Sequence, residues 1–423
     1  MPILDTAPTA AGTGSSVVVE RCQVCDHAPL QHVFFLGYLP PVNQMRTIGD
    51  LPREQPAYPA LLLACPQCSL VQLGLIVDKN ILFPPEYPYT SGTTKILRDN
   101  FADLYTESQT IVPMGPQDLA IDIGSNDGTL LSNFKNGGHR VFGIEPSQVG
   151  NLANERGIPT TIAFFDGATA QKTRDLHGPA KVVTATNVFA HIERIHDIVN
   201  SILLLMDNKS VFISESHYLL SLVETLQYDT IYHEHLRYYS LRSLQYLLKM
   251  HGLEVIHACR IPTHGGSIRV YAARAGEYPV RPSLSETLKK EAAAGLDAEH
   301  LQSFKARAVQ SKLDLHALLR DIKKQGQRIY GIGAPSRAST LIHYVGLDDG
   351  ILDCVLEIKG SLKIGKYMPG SLIPVLEESR LYTDQPEYVL LLSWHIAEEL
   401  IPKLKEKGYK GKYICPLPAP TIV

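Results

Sequence analysis

The sequence predicts an α/β fold built on an open parallel sheet with helices on both faces. Three features lead to it. Short apolar strands alternate with helical segments from Leu119 onward, two glycine turns follow such strands at 122–128 and 331–333, and four cysteines pair up near the start. The strand-and-turn pattern is Rossmann-like, and its recurrence gives a second sheet of the same kind at the C-terminus.

At 423 residues the chain has room for about three domains, each able to bury a core. Its 44% hydrophobic and 20% charged content suits a globular protein, and a net charge of −3 excludes a nucleic-acid footprint. Residues 1–18, dominated by Ala, Thr, Gly and Ser, read as a disordered leader without the basic start and apolar run of a signal peptide. Apolar runs such as 202–206 and 388–392 fall far short of the roughly 20 residues that span a bilayer. A cytoplasmic protein without membrane partners is expected.

Residues 19–90 form the first expected domain. Cys22-x-x-Cys25 and Cys65-x-x-Cys68 supply four thiolates, a set that suits tetrahedral zinc, and a cytoplasmic setting disfavours two disulfides. Protein fills all four positions, so the metal is structural. The chain between the pairs carries Pro40, Pro41, Pro52, Pro56 and Pro59 and cannot be one regular element. Tyr87 and Tyr89, beside Pro88 and Gly92, lie on a loop able to close over a pocket.

Residues 91–283 form the second. Leu119 to Ile123 is a strand, Asp122-x-Gly124-x-x-x-Gly128 turns into a helix near Thr129, and Val141 to Ile144 is a strand ending in Glu145. Lys181 to Thr184 and Val211 to Glu215 follow, with Asn187 and His191 after the former. Ligands of such sheets bind at the carboxyl ends of the strands. A dinucleotide needs Gly-x-Gly-x-x-Gly for close approach of its pyrophosphate. Asp122 at the first small position repels that group, but it suits the cationic aminoacyl end of S-adenosylmethionine (SAM), while Glu145 can accept from both ribose hydroxyls. Further on, Tyr232-His233-Glu234-His235 places four proton-handling side chains in a row, without the spacing of a zinc protease helix.

Residues 284–325 have the spacing of connecting helices, and 326–423 make the third domain, where Gly331-Ile332-Gly333-Ala334-Pro335-Ser336-Arg337 opens a helix beside a basic residue. Ser336 and Arg337 are candidates for a phosphate, while His264, Gly265 and Arg269 are candidates for substrate binding around the glycine pair that leads into the strand Ile268 to Ala272, where backbone can approach a ligand closely.

Taken in order, the Cys-x-x-Cys pairs, Asp122 to Leu131, Gly143-Ile144-Glu145-Pro146-Ser147, Asn187-Val188-Phe189-Ala190-His191-Ile192 and Tyr232-His233-Glu234-His235 resemble the sugar C-methyltransferases of deoxysugar and antibiotic biosynthesis, from about residue 20 to the end. The resemblance implies a zinc-binding domain, a class I methyltransferase core and a C-terminal Rossmann-like domain. It also implies methylation at C3 of a dTDP-linked 4-keto-deoxysugar with SAM. By the same resemblance His235 is the proton-abstracting base, Tyr232 and Glu234 attend it, His191 faces the ketone oxygen, and Tyr87 or Tyr89 enters from the first domain. Asn126, Gly128 and Asn187 join Asp122, Gly124 and Glu145 around the cofactor. The chain departs from the family at Gly360 and Ser339, where Asn is common, which puts the nucleotide and sugar in question. Methylation of another carbon, oxygen or nitrogen, or an NAD-binding scaffold without catalysis, stays open. A monomer is expected, since two Rossmann-like halves can pair within one chain.

Overall fold

The computed structural model describes residues 16–51, 54–82 and 94–423. Tyr87, Tyr89 and most of the expected leader lie outside the described residues. Pairing starts inside that leader: β1 (Val17–Val18) runs antiparallel to β5 (Leu75–Ile76), because two consecutive valines favour a pleated partner. Between them β2 (Gln31–Leu39), β3 (Tyr58–Ala64) and β4 (Val71–Leu73) form an antiparallel sheet, β2 ending just before Pro40.

The second sheet contains β6 (Leu119–Ile123), β7 (Arg140–Glu145), β8 (Thr160–Ile162), β9 (Ala180–Thr186) and β10 (Met206–His217). After β11 (Arg237–Tyr238), β12 (Leu253–Ile261) and β13 (Ser267–Arg274) complete it. The order is β12-β13-β10-β9-β6-β7-β8, with β13 antiparallel to both neighbours and the others parallel. Every residue of β6 is buried, as a central parallel strand covered on both faces requires. That inserted antiparallel strand departs from the dinucleotide-binding order.

Two helices, Pro282–Ala294 and Ala298–Lys324, bridge to the third sheet. The longer one buries Leu301, Phe304, Ala308, Ser311, Leu315, Leu319 and Ile322, a stripe at helical spacing, and Phe304 meets Phe34 of β2 edge-on at 6.1 Å. The third sheet comprises β14 (Ile329–Ile332), β15 (Cys354–Glu357), β16 (Val375–Glu377), β17 (Tyr388–Leu391), β18 (Lys412–Cys415) and β19 (Thr421–Ile422). Its order is β16-β15-β14-β17-β18-β19, parallel apart from β19. No helix among the described residues is long and apolar enough to cross a membrane.

The three domains interlock. Strand β11, which leaves the second domain, pairs with β4 of the first. The backbone around Arg46 to Ile48 bonds to that around Gly365 to Tyr367, through Tyr367 N to Arg46 O at 2.8 Å and Ile48 N to Gly365 O at 2.9 Å. Arg337 on helix Ser336–Val345 donates from Nε and Nη2 to both carboxylate oxygens of Asp229, at 2.8 and 2.7 Å. Trp394 Nε1 adds a bond to Asp229 at 2.8 Å, and its ring covers the guanidinium.

Both partners of that ion pair are buried, Asp229 wholly so. Removing one leaves an uncompensated charge inside the protein, so Arg337→Ala is expected to cost about 3–5 kcal/mol. Denaturant titration checks this; a loss under about 1 kcal/mol would mean that the pair is dispensable.

Candidate active site

The turn after β6 requires left-handed backbone: φ is 71° at Gly124, 49° at Asn126 and 77° at Gly128. A Cβ at Gly124 would stand 2.7 Å from Val188 Cγ2. Asn126 N donates to one oxygen of Glu145 at 3.0 Å, and Ser147 donates to the other from N and Oγ at 2.9 and 2.6 Å. Asn187, also left-handed at φ 58°, follows β9. These residues and Asp122 therefore meet at the carboxyl edge of β6, β7 and β9. Burial pushes the Asp122 carboxyl up to about 7; the Thr184 hydroxyl, donating at 2.6 Å, opposes this, and Glu145 and Glu215 add to the rise. A carboxyl in that range becomes an anion when a cation arrives beside it. The edge thus offers a strand-end acceptor for a ribose diol and a carboxyl for a cationic group, which fits SAM.

Across the edge lies the segment 228–239. His235 N bonds to Tyr232 O at 2.9 Å, so Tyr232 to His235 form a turn, which brings the rings of Tyr232 and His235 together at 4.2 Å. His233 Nε2 bonds to Pro59 O at 3.2 Å, toward the first domain. His235 Nδ1 lies 3.0 Å from Thr230 O. A carbonyl only accepts, so the proton sits on Nδ1 and Nε2 carries the lone pair. The Tyr232 hydroxyl, 3.1 Å away, donates to that lone pair. Glu234 turns elsewhere, accepting from Asn43 Nδ2 at 2.6 Å. The Thr230 carbonyl orients the His235 ring.

Four more histidines surround His235. His191 follows β9, its ring 4.9 Å from that of His235; His217 ends β10, at 6.5 Å. His264 stands at φ 57° before Gly265 and Gly266, and His395 follows β17 in the third domain. All five lie deep in the protein yet keep part of their surface accessible, so they line an interior cleft. Burial, then mutual repulsion with each other or with Arg337, holds His217 at about 3 and His264 at about 4, and drives His235 and His395 well below the ordinary imidazole range. Burial takes His191 to about 4 against a backbone bond at Glu234. The ring is neutral at pH 7.

Two expected substrate contacts are corrected. Arg269 donates to Glu215 at 2.7 Å, Glu107 at 2.8 Å and Asn100 at 2.9 and 3.1 Å, which commits its donors to holding helix Lys95–Ile111 against β10 and β13. Arg337 is neutralised by Asp229. Gly265 stays beside the cleft, its carbonyl taking Gln227 Nε2 at 2.6 Å, and a Cβ there would stand 2.7 Å from Gln227 Oε1. Ser336 begins its helix with Oγ 3.5 Å from Asn43 Oδ1. Sequence reasoning missed Asn43, His217, His395 and Lys363. Only His217, at the carboxyl end of a parallel strand, carried a local signal.

The four N-terminal cysteine sulfurs lie within 4.8 Å of one another without a disulfide, Cys22 to Cys68 and Cys25 to Cys65 both at 3.4 Å. The backbone N–H groups of Val24 and Cys25 point at Cys22 Sγ at 3.4 Å. Four converging sulfurs with N–H donors to one of them fit a tetrahedral zinc thiolate centre. Cys22→Ser or Cys65→Ser is expected to lose one zinc per chain and unfold the first domain; metal analysis with circular dichroism checks this, and full zinc content in both variants would refute it.

The histidines also set a pH dependence. Their folded pKa values lie below the ordinary 6.5, so as pH falls below 6.5 the unfolded chain binds protons that the folded protein refuses. Stability is complete above that pH and is lost toward 4, by at most about 1.4 kcal/mol per pH unit for each histidine. The histidine contribution should lower melting temperatures below pH 6, less steeply in His217→Asn; equal slopes would exclude His217 from the effect.

Comparison with known proteins agrees with this geometry. Residues 22–83 match a zinc binding domain, 116–258 a methyltransferase domain and 262–418 a C-methyltransferase C-terminal domain. The chain is 31% identical over 409 residues to the C-methyltransferase NovU of Streptomyces niveus, covering 96% of this chain and 97% of that protein. Solved structures resembling part of the chain include a SAM-dependent methyltransferase of Anabaena variabilis, at 15% identity, 43% of this chain, 86% of that one and a TM-score of 0.34. Another is the magnesium protoporphyrin IX methyltransferase of Synechocystis with bound SAM, at 15% identity, 42% and 78% coverage and a TM-score of 0.31. The scaffold without catalysis is overturned: the chain belongs to the C-methyltransferase family, enzymes that use SAM and carry a zinc-binding domain.

Proposed function

We propose that this enzyme methylates C3 of a dTDP-linked 4-keto-deoxysugar, in the cytoplasm and as a single chain, within deoxysugar biosynthesis for an antibiotic. The observation that carries the reading is the state of His235: a neutral imidazole with its proton on Nδ1 and its lone pair on Nε2, against the Tyr232 hydroxyl. That is a base prepared for a carbon acid beside a ketone.

SAM supplies an electrophilic methyl group on its sulfonium. Asp122, Gly124, Asn126, Gly128, Glu145 and Asn187 hold it, Glu145 accepting from the ribose and Asp122 facing the aminoacyl end. His235 Nε2 takes the C3 proton; the C–H electrons become the C3–C4 double bond and charge collects on the ketone oxygen. His191 and Tyr232 donate to that oxygen as it turns anionic. The double-bond electrons would then form the new C–C bond to the methyl carbon as its bond to the sulfonium sulfur breaks and leaves a neutral thioether; the ketone returns, and the proton on His235 is released. His264, Gly265 and Ser336 border the nucleotide sugar.

Incubating the enzyme with a dTDP-4-keto-6-deoxysugar in heavy water tests this. Deuterium is expected at C3 without SAM, and a new C3 methyl with it. His235→Ala should reduce both about 10²–10⁴-fold, with Tyr232→Phe losing less and SAM affinity unchanged within about twofold. Methylation at oxygen or nitrogen that survives in His235→Ala would sink the carbon-acid mechanism.

A further inference from the structure

A second cluster of metal-ligating side chains lies outside the first domain. Strand β12 is an edge of the second sheet, and its pairing with β13 shifts register between Val255 and His257. Beyond that shift His257 stands across from Tyr271 and Cys259 across from Arg269, so the two side chains share one face of the strand. Helix Lys95–Ile111 brings Glu107 onto the same face. A Glu107 carboxylate oxygen, a His257 ring nitrogen and the Cys259 sulfur then lie within 4.8 Å of one another.

The surroundings hold each of these groups in a binding pose. Glu107 Oε2 accepts from Arg269 Nη1 at 2.8 Å and from the Tyr271 hydroxyl at 2.7 Å, which fixes the carboxylate. Its Oε1 is aimed at His257 Nε2, 3.0 Å away, and Cys259 Sγ stands 3.5 Å from Oε2. Those separations approach the roughly 3.3–3.7 Å between ligands of a tetrahedral ion with bonds of about 2.0–2.3 Å. His257 Nδ1 meets Ser283 Oγ at 2.6 Å. A hydroxyl can accept from Nδ1–H, and that tautomer turns the Nε2 lone pair toward the carboxylate. Two lone pairs in opposition call for a cation between them, and metal-bound histidines keep such a partner on their other nitrogen.

Charge points the same way. Arg269 serves two carboxylates, Glu107 and Glu215, so the group carries one negative charge in excess. A divalent ion that sends the Cys259 thiol proton to solvent as the metal–sulfur bond forms adds one positive charge and cancels it. The Glu107 side chain is 27% exposed, which leaves an entry path from solvent. Mixed carboxylate, imidazole and thiolate donors select zinc over calcium or magnesium.

We propose that Glu107, His257 and Cys259 form a second zinc site, with water in the fourth position. Three strands separate β12 from β6, which sets the ion apart from the cofactor turn. Its role is to clamp helix Lys95–Ile111 to the sheet edge, beside the Arg269–Glu215 pair. The inference is independent of the sugar reading.

Cobalt(II) is the probe, added to the full chain whose four-cysteine centre already holds zinc. One cobalt per chain should bind with a thiolate-to-cobalt charge-transfer band, and no zinc should be released. Cys259→Ala should remove the band, and both it and His257→Gln should weaken binding about tenfold or more, with Ser283→Ala weakening it about tenfold. Circular dichroism and the four-cysteine zinc should stay unchanged in all three. In the unaltered chain added zinc should slow alkylation of the half-buried Cys259, read by mass spectrometry with Cys354 and Cys415 as references. No cobalt beyond the four-cysteine centre overturns the site, and so does equal affinity in Cys259→Ala and His257→Gln. Alkylation of Cys259 at the same rate with and without zinc overturns it too, and that readout needs no variant to fold.

Discussion

The structure depends on how the segment 228–239 is held. All three domains grip it: β4 pairs with β11 at its end, Arg337 binds Asp229 at its start, and Leu236 N bonds to Ala190 O at 2.8 Å in between. Arg237, fully buried, reaches the carbonyls of Ile192 and Glu193. Thr340 Oγ1 donates to Ile231 O at 3.3 Å from the third domain. On the proposed function, a base positioned by its own backbone turn inherits this rigidity, and small errors of position would be costly for proton transfer and in-line attack. The zinc centre acts at a distance here: it fixes the module whose β4 edge, Pro59 carbonyl and Asn43 amide all meet this segment.

The histidine ring follows from the same packing. Five imidazoles from two domains share one cleft, with Arg337 among the charges that act on three of them. Protonating one raises the cost of protonating the next, so the stable state is neutral. Neutral imidazoles still donate through the N–H they keep, and they leave His235 able to accept.

Much of this architecture was legible in the sequence because its determinants are local. An apolar strand followed by Asp122-x-Gly124 and a second ending in Glu145 define a turn whose backbone only certain residues tolerate, and two Cys-x-x-Cys pairs carry their chemistry in their spacing. The illegible part is made of contacts between distant residues. Nothing around Asp229 announces Arg337 as its partner, and nothing around Arg269 announces Glu215 and Glu107. Read locally, both arginines were free cations suited to a substrate, Arg337 to its phosphate; their partners become visible only when distant helices and strands are packed together. Asn43, between prolines in an irregular stretch, is hidden for the same reason. The two-residue strand β11 is too short to show any period.

A neutral base inside a crowded cleft is a weak one, and this bears on how the reaction can run. Burial that lowers the pKa of His235 also reduces its pull on a carbon-bound proton. An anionic acceptor changes that balance. Negative charge brought into the cleft favours protonation of every imidazole facing it, and its effect is large because little water screens it. On the proposed function, the substrate therefore strengthens the base that deprotonates it, while the cleft without substrate keeps its histidines uncharged and its folding stability intact at neutral pH. Arg337, already matched by Asp229, contributes fixed scaffolding to this scheme, and the change in charge is left to the imidazoles.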